Sequence, residues 1–159
     1  MKKLLLAAIV GLTSLLSSTA QAQSTSGTFN VNITLTSACT LSAITAVNFA
    51  YTSFQVGASA ATGGGFTVSC TNSHPYTFGL EAGSGAAVPP GTATIGVTDA
   101  ALNLAYTLGL SAAGGTGSGV VQVYNITGTM AGSQAGTCVG ATCTNAASGN
   151  KVQTLIVNF

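Results

Sequence analysis

Charge is almost missing from this chain: Lys and Arg together number 3, Asp and Glu together 2, and there is 1 histidine in 159 residues. No arginine occurs, and two of the three cations are Lys2 and Lys3 at the extreme N-terminus. Nucleic acid and anionic lipid are both held by clustered Lys and Arg, so both are excluded as partners. Low charge also removes the repulsion that keeps ordinary soluble monomers apart, and the composition points to association. Beyond the first 22 residues no run supplies the roughly 20 apolar residues of a membrane span. No stretch there carries helical periodicity with caps, and neither an internal repeat nor a second domain is visible.

The residues of catalysis are equally scarce. A serine hydrolase needs a base and an orienting acid beside its nucleophile, and His74 with Glu81 or Asp99 is the only set available. His74 precedes Pro75 in a predicted turn, a solvated position. Glu81 and Asp99, the only side-chain acids, fall on separate turn-like segments and read as exposed charges rather than a glycosidase pair. Gly63 to Gly65 and Gly114 to Gly119 are followed by neither a helix nor Lys-Ser/Thr, so they read as flexible turns and not phosphate loops. No catalytic or cofactor-binding residue, no metal site, no cofactor and no small-molecule substrate is expected.

What is present begins with a secretory signal over residues 1–22: Lys2-Lys3, an apolar run from Leu4 to about Leu16, and Ala20-Gln21-Ala22 as a small-residue cleavage site. Export carries Cys39, Cys70, Cys138 and Cys143 into an oxidising compartment, where an even count implies two disulfides. Three pairings are possible. The economical one joins Cys39 to Cys70, tying the end of the first strand to a later one, and Cys138 to Cys143, stapling the long connection 131–150. A two-thiolate metal site at Cys138 and Cys143 lacks the further ligands of tetrahedral coordination.

About 137 residues remain after removal of 22 from 159, enough for one domain with one core. Short apolar or alternating runs at 47–51, 66–70, 76–80, 92–97, 102–110, 120–129 and 152–159 read as strands, separated by turn residues. This spacing predicts an all-β, antiparallel sandwich, because a parallel sheet would need crossover helices. Tyr51, Tyr76, Tyr106 and Tyr124 are single aromatics at strand positions and read as core or sheet-face residues rather than a sugar-stacking platform. The sequons at Asn32 and Asn125 lie inside predicted strands and are assigned no function.

The stretch that organises the chain is 27–36, where Phe29, Val31, Ile33 and Leu35 alternate with Asn30, Asn32, Thr34 and Thr36. Such alternation puts four apolar side chains on one face of a strand. At the other end, 152–159 reads as a strand running to the last residue, with no following strand to cover its edge. A strand added from a second polypeptide would supply both main-chain hydrogen bonds and side chains for the uncovered core. One copy offers the plug and the next the groove.

The run Ala58-Ser59-Ala60-Ala61-Thr62-Gly63-Gly64-Gly65-Phe66-Thr67-Val68-Ser69-Cys70, Ala38-Cys39-Thr40-Leu41 leading to Val47-Asn48-Phe49, Leu104 to Leu108, and the closing Leu155-Ile156-Val157-Asn158-Phe159 resemble the spore coat protein U domain family. Within it they are most similar to the subunits of archaic (Csu-type) chaperone-usher pili. The resemblance implies a single immunoglobulin-like antiparallel β-sandwich, incomplete and completed by a donor strand. Its parts would be a signal peptide at 1–22, a donor segment at 23–37 and the sandwich domain at 38–159. Phe29, Val31, Ile33 and Leu35 would be donor residues and Cys39 with Cys70 the family disulfide. Leu155, Val157 and Phe159 would border the acceptor groove and meet the chaperone.

The implied partners are other pilus subunits, a periplasmic chaperone and an outer-membrane usher. The implied location is the cell surface, reached through the periplasm, in a fimbrium serving adhesion and biofilm formation. Members often carry Gly-x-Tyr-x-Asp before the last strand, whereas Gly149-Asn150-Lys151-Val152-Gln153 has neither the Tyr nor the Asp. The alternative is a secreted, self-completed β-sandwich binding module of spore-coat or matrix type, in which 27–36 folds back and loops such as 131–150 contact a ligand.

Overall fold

The computed structural model describes residues 23–83 and 90–159, so the expected signal segment 1–22 lies outside the described residues, as does most of the 83–91 turn. The chain divides into two units, Met1–Thr34 and Leu35–Phe159. In the first, residues 23–34 form no regular secondary structure, and Phe29 and Ile33 are each 85% exposed. The strand expected at 27–36 is therefore absent among the described ladders. Alternation fixes which side chains share a face, but a strand also needs a partner for its backbone, and no described ladder includes this segment.

The second unit is all-β and antiparallel throughout, with no helix among its described residues. Eleven strands follow in order: β1 Cys39–Leu41, β2 Val47–Asn48, β3 Ser59–Ala60, β4 Thr62–Gly63, β5 Gly65–Cys70, β6 Pro75–Ala82, β7 Thr94–Thr98, β8 Ala105–Leu110, β9 Gly114–Thr116, β10 Gln122–Met130 and β11 Gln153–Asn158. One sheet runs β1-β5-β10-β8-β7 with β3 also paired to β10, a second runs β11-β6-β9, and β2 pairs with β4. This is an immunoglobulin-like sandwich: β1, β5, β10 and β8 stand where strands A, B, E and D of that fold lie, and β6 with β11 where C and F lie.

The core follows from period-two patterning. Phe66, Val68 and Cys70 on β5 face Tyr76, Phe78 and Leu80 on β6, and Leu108 and Ile126 complete the buried cluster. Phe66 meets Phe78 edge-on at 5.3 Å between ring centroids, and Phe78 meets Tyr124 at 4.8 Å. Such edge-to-face geometries are among the favoured ones for aromatic pairs.

Two glycine runs expected to be flexible turns are fixed parts of the sheets. Gly114–Thr116 is a strand paired to Pro75–Thr77, with Gly115 lying close to the hydroxyls of Tyr76 and Tyr124. Gly63 and Gly64 have φ of 88° and 77°, and they kink the path from β3 to β5 so that both ends of it can follow β10. A β-carbon on Gly64 would run into the carbonyl oxygen of Ile126, which is backbone and cannot rotate away. Gly64→Ala is expected to cost about 3 kcal/mol, from left-handed strain plus displacement of β10. A denaturant midpoint unchanged from the parent would show that the kink tolerates a side chain.

Candidate functional site: an uncovered side of the core

Register identifies which residues aim at the core. On β1, Cys39 lies opposite Cys70 and Leu41 opposite Val68. Directly opposed residues share a face of the sheet, so Leu41 points inward with Val68. Yet Val68 is 1% exposed and Leu41 is 42% exposed. On β11 the same holds in weaker form: Leu155 opposes Leu80 and Val157 opposes Phe78, both buried, while Leu155 and Val157 are only half-buried. Core-facing side chains on an edge strand of each sheet are thus left partly uncovered.

Both edges run out at one turn. Ala38, just before β1, exchanges backbone contact with Thr71, whose N–H donates to the Ala38 carbonyl at 3.0 Å. Phe159, just after β11, lies edge-on to His74 with ring centroids 6.3 Å apart. β11 is paired along one side only, to β6, and among the described residues no strand occupies its other side. In the immunoglobulin arrangement that position belongs to strand G. The edge is also undefended: Gln153–Asn158 contains no charge and no proline, two of the devices that keep edge strands from pairing with other chains.

The other candidates are accounted for differently. Both disulfides form as the economical pairing expects, Cys39 to Cys70 and Cys138 to Cys143. Among the described residues no group of three or more His, Cys, Asp or Glu is placed to hold a metal. Tyr76 is buried, its hydroxyl 2.6 Å from that of Tyr124 and donating to Gln122 Oε1 at 2.8 Å. Burial first, and the Tyr124 hydroxyl second, push the Tyr76 phenol up to about 12.

Asp99 departs from expectation: it is not an exposed charge but only 3% exposed. Its Oδ1 accepts from the N–H groups of Ala101 and Leu102, and its Oδ2 accepts from Asn145 Nδ2 at 3.1 Å. Burial alone raises its pKa, but hydrogen bonds from Leu102, Asn145, Ser148 and Ala101 outweigh burial and hold the carboxyl below its ordinary value. His74 is not among these partners, and Glu81 sits on β6 opposite Thr154.

Asp99 instead anchors the 131–150 connection, with help from Asn150, whose Oδ1 accepts the Ala100 N–H and whose Nδ2 donates to the Thr98 carbonyl. A folded pKa below the unfolded one stabilises fully above the unfolded value, near 4, and is lost as pH falls through the folded value. With only two side-chain acids, the transition is assignable. The protection of amides 99–102 and 145–150, measured against their intrinsic exchange rates, is expected to fall below about pH 4 in the parent, and to be low at every pH in Asp99→Ala. Protection that is high and unchanged with pH in both proteins would contradict this role.

The Spore Coat Protein U domain family matches this chain over residues 25–154, which takes in the whole sandwich except the last part of β11. No curated protein and no solved structure matches the chain. Proteins of the family are structural, exported coat and pilus-type surface components rather than enzymes. On the extent of that match, the chain belongs to the Spore Coat Protein U domain family.

Proposed function

We propose that this protein is a structural pilus subunit that polymerises by donor-strand exchange. The strand-forming segment around Phe29, Val31, Ile33 and Leu35 of one copy fills the uncovered side of the core of the next, along β11. The observation that carries this reading is the exposure of Leu41, together with the incomplete burial of Leu155 and Val157, at positions whose register points them inward. The complementary half is an apolar row that no described strand covers: Phe29, Val31, Ile33 and Leu35 are all exposed.

Magnitudes fix how the two halves must meet. Four apolar side chains contribute on the order of 6 to 12 kcal/mol when fully buried. Ordering about nine residues costs roughly 9 to 18 kcal/mol. Side chains alone are insufficient. The ladder along β11, at about 0.5 to 1.5 kcal/mol per hydrogen bond, supplies the surplus, so the donor must pair as a strand and not merely dock as a greasy peptide. A periplasmic chaperone belongs to the same proposal, since an uncovered core must be shielded between export and assembly, and an outer-membrane usher is the proposed site of that assembly.

Deletion of residues 23–36 tests the proposal. The shortened subunit is expected to accumulate in complex with a periplasmic chaperone and to form no polymer. If it instead loses its own fold while the parent is a stable monomer, the segment completes its own domain and the pilus reading fails.

A further inference from the structure

A cavity of about 750 Å³ opens between residues 47–53 and the disulfide-stapled part of the 131–150 connection. That volume lies within the range of small-molecule sites. None of the uncovered core-facing residues Leu41, Leu155 and Val157 lines it, so it is separate from the proposed assembly groove.

Its floor is apolar: Phe49, Tyr106 and Met130, with the Phe49 and Tyr106 rings 5.4 Å apart and tilted. Its rim is hydroxyl and amide: Tyr51, Thr137 and Asn145 among others. The tyrosine hydroxyls are held in place by the bonds they accept, Tyr51 from the Gln134 N–H at 2.8 Å and Tyr106 from Gln153 Nε2 at 3.3 Å. Accepting leaves each hydroxyl proton available to donate outward. Gln134 is itself fixed, its Oε1 accepting the Ala105 N–H and its Nε2 donating to the carbonyls of Ala105 and Ala131. The rim is therefore pre-organised, which lowers the ordering cost of binding.

Charge narrows the ligand. No Lys, Arg or His is among the described residues lining the cavity, and Asp99 lies in its wall. An anion meets a carboxylate and no counter-charge. A cation finds that carboxylate already hydrogen-bonded to Ala101, Leu102 and Asn145. A wholly apolar ligand would strip the hydroxyl rim of water without replacing its hydrogen bonds. A ring with an apolar face and many neutral hydroxyls satisfies both floor and rim.

Against the sequence expectation that Tyr51 and Tyr106 are only core or sheet-face residues, we infer that this cavity, closed on one side by the Cys138–Cys143 loop, binds a neutral saccharide, with Tyr106 and Phe49 beneath the ring and the Tyr51 and Tyr106 hydroxyls donating to it. The test is ligand-observed saturation-transfer NMR on the full mature chain, which reads binding in monomer and polymer alike. The probes are galactose, mannose, N-acetylglucosamine and their short neutral oligomers at millimolar concentration. Transfer to ring C–H protons of at least one probe is expected. Tyr106→Phe is expected to weaken it about tenfold, the size of one lost hydrogen bond, and C138S/C143S to weaken it further, with circular dichroism unchanged in both. No transfer to any probe, or transfer undiminished in either variant, would overturn the assignment.

Discussion

Ile33→Asp in the full chain is expected to abolish polymerisation while leaving the melting temperature of the sandwich unchanged, whereas Thr34→Asp, one residue away, is expected to leave polymer intact. In the single chain Ile33 is 85% exposed, so a carboxylate there changes little: surface substitutions are usually worth within about 0.5 kcal/mol. Within an acceptor groove the same carboxylate would be buried with no cation beside it, since the nearby strands β1, β6 and β11 carry only Glu81 as a charged residue. Burying it costs several kcal/mol on top of the roughly 1.5 to 3 kcal/mol lost with the isoleucine. Thr34 belongs to the alternate set, which a paired strand turns away from the core.

Electron microscopy of the assembled fraction and size-exclusion of the remainder read the outcome. Filaments from Ile33→Asp, or equal failure of both variants, would mean that the groove does not read this alternation. The two substitutions add the same charge at adjacent positions, so a general effect of added negative charge on export or solubility would strike both.

How far the sequence revealed these features depends on where the deciding contacts lie. β5 and β6 were legible because their large apolar side chains fall at every second residue, with Phe66, Val68 and Cys70 answering Tyr76, Phe78 and Leu80. β9 was not, because Gly114 and Gly115 have no side chain to alternate; their place is set by backbone packing on Tyr76. Asp99 could not be recognised as buried, since the amide that satisfies it comes from Asn145, 46 residues on. Leu41 carried a faint signal, two residues from Cys39 and therefore on the same face, but its exposure has meaning only once its opposition to Val68 is known. The alternation at 29–35 announced a face without naming its partner, which a pattern inside one chain has no means to specify.

Removing the Cys39–Cys70 bridge is expected to have the largest effect on stability. Closing a loop of 31 residues restricts the unfolded chain by about 3.5 to 4 kcal/mol in the chain-entropy account, against about 2 kcal/mol for the 5-residue separation of Cys138 and Cys143. For a unit of 125 residues, Leu35–Phe159, 3.5 to 4 kcal/mol corresponds to a melting temperature lower by roughly 10 to 15 °C. Alanine is the substitution to use, because Cys70 is buried and serine would add an unpaired hydroxyl. The consequence reaches beyond stability. β1 is three residues long and among the described residues pairs only with β5, so without the bridge it frays first, taking Leu41 and one border of the groove with it. C39A/C70A should therefore stop polymerising at temperatures where its circular dichroism is still native, while C138A/C143A polymerises normally. A double alanine variant at 39 and 70 that melts within about 3 °C of the parent would show that the bridge does not set the stability of this unit. One that melts low yet still polymerises would remove β1 from the groove and leave β11 as its only border.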